Sequence, residues 1–112
     1  MRLRIDTSEN KFRVAALAQP RARSRTDQTQ KTMLDGRPIW AIRLTAIDAG
    51  SNSSETIWVE VAGEEPRLTL DELALVQGLV FAPWISKKGE IVRNFRADSI
   101  TVLADARRTQ AA

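Results

Sequence analysis

Side chains along this chain fall into short runs in which apolar and polar positions alternate, the two-residue period of a half-buried strand. In residues 12–18, Phe12, Val14, Ala16 and Ala18 alternate with Arg13, Ala15 and Leu17, which predicts a first strand, preceded by a short segment at residues 3–5. Residues 38–47 predict a second, with Trp40, Ile42, Leu44 and Ala46 on one face and Arg43 and Thr45 on the other. Residues 56–61 predict a third: Ile57, Val59 and Val61 share one face, and Thr56, Trp58 and Glu60 the opposite one. Residues 49–54, rich in Gly, Ser and Asn, form the loop between the second and third strands.

Residues 68–85 carry two patterns. Thr69 with Glu72 matches a capping box, and Gly78 is suited to ending a short helix. Leu73, Ala74, Leu75, Val76, Leu79, Val80 and Phe81 equally suit a buried strand with a bend at Gly78. A turn at 69–72 and a long bent fourth strand from 73 is the preferred reading, with Pro83 ending it at an edge or bulge. Ser86-Lys87-Lys88-Gly89 predicts a hairpin turn. Residues 91–95 and 100–103 then form the last strand, broken near Asp98 and Ser99, and 105–112 a flexible tail.

The expected architecture is therefore all-β: a five-stranded OB-like Greek-key barrel over residues 1–104, with a long basic loop between strands 1 and 2. Such barrels bind oligonucleotides on the face of strands 2 and 3 and with the loops joining strands 1–2 and 4–5. The loop here, residues 19–37, is longer than compact domains normally carry without a purpose, and Asp35-Gly36 is the turn that closes it.

Composition narrows the chemistry. The chain has 112 residues, of which 43% are hydrophobic and 28% charged, enough for one packed domain. It has no Cys and no His, which removes disulfides, the usual zinc sites, thiol chemistry and any His-based catalysis. The acidic pairs Glu64-Glu65 and Asp71-Glu72 have nothing converging on them, each Gly stands alone rather than in a phosphate loop, and no pair of helical patterns suggests a helix-turn-helix. A non-enzymatic protein without cofactor or metal is expected. The first residues lack an apolar segment of signal-peptide type and no run is long enough to span a bilayer, so a cytoplasmic protein with no membrane partner is expected.

The net charge of +3 is unevenly placed: residues 1–45 carry +6 and residues 46–112 carry −3. Thirteen Arg against four Lys, with fifteen Ala, reflect in part a GC-rich genome, which does not account for the clustering. A basic half points to a polyanion. Arg21, Arg23, Arg25, Lys31 and Arg37 in the long loop, opposed only by Asp27 and Asp35, are suited to phosphates. Trp58, on the polar face of its strand, is placed to stack a base, or else to form a subunit interface or a lid over the barrel end. Arg43 shares the outer face of the second strand and lies near Trp58 if the two strands form a hairpin. Lys87 and Lys88 on the later turn, and Arg93 and Arg96 flanking Phe95, complete the candidate nucleic-acid-binding set. Trp40, Trp84, Phe12, Phe81 and Phe95 are assigned to the core.

Two resemblances follow from these residues. Asp35-Gly36-Arg37-Pro38-Ile39-Trp40, Val80-Phe81-Ala82-Pro83-Trp84 and Phe95-Arg96-Ala97-Asp98-Ser99-Ile100 resemble the small regulatory proteins of actinomycete integrative and conjugative elements, some called replication, integration and excision activators, over roughly residues 3–103. That likeness implies a mobile-element or plasmid setting. The strand layout is also similar to the gene V type of single-stranded DNA-binding protein, which implies an OB-like homodimer coating DNA; that family stacks bases on tyrosines, and this chain has none, leaving Trp58 as the substitute. The function expected is a single-stranded DNA-binding protein. The rivals are a protein-interaction module dimerising through Trp58 and Leu17, and a β-ribbon reader of duplex DNA.

Overall fold

The computed structural model describes residues 3–22 and 26–104, and every element in it is a strand. In chain order these are β1 (Leu3–Arg4), β2 (Asn10–Pro20), β3 (Ile39–Asp48), β4 (Ser54–Ala62), β5 (Leu73–Gln77), β6 (Val80–Phe81), β7 (Trp84–Ile85), β8 (Ile91–Val92), β9 (Phe95–Arg96) and β10 (Ser99–Val102). Eight pair in the order β1-β6-β9-β4-β3-β2-β5-β10, and β7 with β8 forms a separate ribbon. The protein is all-β, and its main sheet curls into a half-barrel.

The three long strands are those the alternation predicts. β2, β3 and β4 run antiparallel, and Phe12, Val14, Ile42, Leu44, Ile57, Val59 and Val61 alternate onto one face, where they form the buried core. Ala74, Val76 and Ile100 close it from β5 and β10. Fully burying such a side chain is worth about 1.5–3 kcal/mol, so this inner face holds the sheet in its curl. The turn over 69–72 followed by a strand from Leu73 is present: Glu72 N–H donates to the Thr69 carbonyl, and Asp71 N–H to that of Val14.

Several expectations are corrected. Ten strands are found where five are expected, because the predicted fourth and fifth strands are each broken and β1 and β7 form outside the five. Gly78, at a φ of 68°, separates β5 from β6; a Cβ there would fall inside the Asp98 side chain, so only glycine fits the bend. The predicted last strand becomes β8, β9 and β10, with Asp98 N–H turning back to the Gln77 carbonyl between the last two. Trp84 is not core: it is 51% exposed, since β7 pairs only with β8 and leaves the main sheet. Trp40 does pack against the core, its indole N–H donating to the Gly63 carbonyl at 3.0 Å. Phe12 is buried, and Phe81 and Phe95 are half-buried with ring centroids 5.0 Å apart.

β2 shifts register twice. Val14 pairs with Leu44, Ala16 with Arg43 and Gln19 with Ala41. Each bulge turns the following residues to the other face. Ala16 thus lies beside Arg43 rather than beneath Phe12 in the core, and Leu17 is left 50% exposed.

The described part of the long loop is tied to the sheet edge by its backbone. Arg21 N–H donates to the Ile39 carbonyl, Ile39 N–H to that of Lys31, and Lys31 N–H to that of Arg21. Isolated bridges join Ala22 to Gln30 and Thr32 to Pro38, and Gly36, at a φ of 91°, makes the predicted turn. The expected tail at 105–112 lies outside the described residues.

Candidate nucleic-acid interface

The residues pointing away from the core form one outer face, and register determines its members. Arg43 on β3 pairs directly with Trp58 on β4, and Ala16 flanks Arg43 on its other side. Thr45 lies between Arg13 and Thr56, and Ile47 between Lys11 and Ser54. All have the parity opposite to Phe12, Leu44 and Ile57, so Lys11, Arg13, Arg43 and Trp58 share a surface. Trp58 is 49% exposed, and the Arg43 guanidinium carbon sits 5.9 Å from its ring centroid. A guanidinium at that distance is attracted to the electron-rich ring and restrains the indole where it stands.

These cations are electrostatically open. Among the described residues, none of Lys11, Arg13 and Arg43 forms an ion pair, and Arg13 donates only to the Asp71 main-chain carbonyl, at 2.6 Å. Lys11 and Arg13 are absent from the sequence-derived set. The signal was present: in residues 11–14 they alternate with Phe12 and Val14, which places them on the face of Arg43 once β2 and β3 pair.

The long loop behaves differently. Arg21 Nε donates to Glu60 Oε1 at 3.0 Å, and Arg21 Nη1 to the Ala22 carbonyl. Arg37 Nε donates to Asp35 Oδ2 at 2.8 Å. The Arg37 backbone N–H, bonded to the same carboxylate, holds the Asp35 carboxyl below its ordinary pKa, and the Arg37 side chain adds to the effect. Lys31 is half-buried in the strapped backbone. Arg23 and Arg25 lie outside the described residues.

Arg96 is drawn to the same carboxylate as Arg21. Glu60 and Arg96 are register partners across the parallel β4–β9 contact, with Arg96 Nε 3.8 Å from Glu60 Oε2. That Nε is buried without a hydrogen-bond partner, a cost of order 1–3 kcal/mol. A cleft of about 320 Å³, lined in part by Met33, Arg37, Ile39, Glu60, Val80 and Arg96, lies between the loop and β9. The loop therefore meets the sheet on the Trp58 side, through Glu60, two residues further along β4.

Arg93 pairs with Glu55 and lies 5.5 Å from the Phe95 ring centroid. The Arg93 hydrogen bond holds the Glu55 carboxyl below its ordinary pKa. Lys87 and Lys88 are exposed at the turn of the β7–β8 ribbon, apart from the main sheet. Of the sequence-derived set, then, the structure brings Arg43 to Trp58 and gathers Arg21 and Arg96 around Glu60, while leaving Lys87 and Lys88 on a separate arm.

Among the described residues no group of His, Cys, Asp and Glu is arranged to hold a metal ion, and no helix is long and apolar enough to cross a membrane. No protein-family model, curated protein or solved structure matches this chain.

Proposed function

We propose that this chain is a non-catalytic protein that binds single-stranded nucleic acid, DNA by preference, in the replication, transfer or regulation of a mobile element. The observation that carries this is the outward Trp58 indole with Arg43 over it, on a face where, among the described residues, Lys11 and Arg13 also form no ion pair with a carboxylate. Stacking on an aromatic ring is worth about 1–3 kcal/mol per base and tolerates any base, while free cations alongside hold phosphates. A base on Trp58 brings its phosphate within reach of Arg43, Arg13 and Lys11.

The strand pairing supports an OB-like Greek-key barrel. β5 and β6 count as one bent strand and β9 and β10 as another, each pair separated by two residues. The pairing order around the sheet is then first, second, third, fifth, fourth and back to first, with third and fifth parallel. On that layout Trp58 and Arg43 occupy strands 3 and 2, the face that OB folds present to oligonucleotides. In this proposal the protein works in the cytoplasm as a homodimer.

The experiment is a tryptophan-fluorescence titration with oligo-dT at several salt concentrations, with and without Trp58→Ala. Binding should quench the emission, and its log–log salt slope should be about 0.7 per phosphate contacted. Absence of quenching together with a concentration-dependent dimer would replace this proposal with a protein-interaction module built on the Trp58 face.

A further inference from the structure

Two patches at opposite margins of the sheet have complementary character. The first is the β7–β8 ribbon. Ile85 and Ile91 are register partners, so they share one side of the ribbon, and they are 72% and 74% exposed. Lys87 and Lys88 are exposed at its turn and Glu90 follows them, leaving one net positive charge. The second is a groove of about 600 Å³ where the connector after β4 meets the end of β2. Leu17, Ala18, Pro66 and Leu68 supply its apolar lining; Glu64 and Glu65 line it with Arg67, leaving one net negative charge.

We propose that the β7–β8 ribbon of one copy seats in this groove on a second copy of the chain. The isoleucine pair covers Leu17 and Leu68, and Lys87 and Lys88 face Glu64 and Glu65. The two isoleucines make one exposed apolar surface that a complementary groove can cover. Charges at the rim then select the groove over other apolar surface and make the contact salt-sensitive.

One molecule does not satisfy both patches itself. The ribbon stem is held beside the start of β4 by the Arg93–Glu55 pair, on the β9 side. The groove begins beyond the end of β4, on the β2 side, with β3 and β4 lying between β2 and β9. The contact is therefore between copies, and two copies related by a two-fold axis, each seating its ribbon in the other's groove, close it as the dimer. This contact needs no nucleic acid and stands apart from the Trp58 face.

Sedimentation velocity on the full chain, without nucleic acid and over a concentration series, tests it. Wild type should form a dimer whose share grows with concentration and shrinks with added salt. Lys87→Glu/Lys88→Glu and Glu64→Lys/Glu65→Lys should each sediment as monomers, because both substitutions juxtapose like charges. An equimolar mixture of the two should associate again, which no folding defect would produce. Ile85→Ser/Ile91→Ser should be monomeric alone and with Lys87→Glu/Lys88→Glu, but should associate with Glu64→Lys/Glu65→Lys, whose ribbon is intact. A wild type that stays monomeric, charge variants that associate like wild type, or a charge-variant mixture that stays monomeric would each overturn the proposal.

Discussion

The long loop and the outer sheet face are both basic, yet among the described residues the two loop arginines are matched to carboxylates and the cations of the sheet face are not. Arg21 is held by Glu60 and Arg37 by Asp35, whereas Lys11, Arg13 and Arg43 have no such partner among the described residues. A tally along the chain favours the loop. Tertiary pairing takes Arg21 and Arg37 out of that tally, the Arg21 partner standing thirty-nine residues away on β4. A cation already matched to a carboxylate must exchange that partner for a phosphate and gains little by it; an unmatched one beside an indole gains in full. Charge density in sequence and charge offered to a ligand are different quantities, and here they fall on different elements.

The comparison rests on a common scaffold, so the largest effect should come from removing it. Ile42, fully buried beneath Arg43 and Trp58, should cost about 2–5 kcal/mol of stability when changed to Ala, read as a fall in the denaturation midpoint. Loop and face should be lost together. Trp58→Ala should leave the midpoint within about 0.5 kcal/mol of wild type and lower oligo-dT affinity by about 1–3 kcal/mol. A normal affinity in that variant would remove stacking from the account. Lys11→Ala/Arg13→Ala should lower the log–log salt slope by about 1.4, at 0.7 per phosphate contact. Arg37→Ala should change affinity less than twofold, since its charge is taken up by Asp35 and a surface pair is worth about 0–1 kcal/mol.

The smallest effect concerns acid. Asp35 and Glu55 have folded-state pKa values below their unfolded ones, held there by hydrogen bonds from Arg37 and Arg93. Their contribution to stability is therefore complete above the ordinary carboxylate range, near pH 4, and is lost as pH falls through the depressed folded values. Both carboxylates are solvent-exposed, so the acid limb of a denaturation profile should shift only slightly in Glu55→Gln.

Much of this was legible from side-chain order. Alternation through Phe12–Val14, Ile42–Leu44 and Ile57–Val59–Val61 places the inner face, and the same parity puts Arg43 opposite Trp58. Parity also placed Arg13, whose charge simply stood outside the conspicuous arginine run. The bulges in β2 left no such trace, because Ala15, Ala16, Leu17 and Ala18 are apolar on both faces and carry no alternation to break. The departure of β7–β8 was equally hidden: Trp84 reads as core by composition, and only the absence of a main-sheet partner exposes it. Ion pairs such as Arg21–Glu60 are set by the fold and have no local signature.

The central claim, that the sheet face and not the loop carries the grip, is tested most directly by two charge-removal variants measured side by side. Binding of labelled oligo-dT to Lys11→Ala/Arg13→Ala/Arg43→Ala and to Arg21→Ala/Arg37→Ala, the two carboxylate-paired loop arginines, should show a loss of at least about tenfold for the first and under about twofold for the second. Equal losses, or the greater loss in the loop variant, would contradict it.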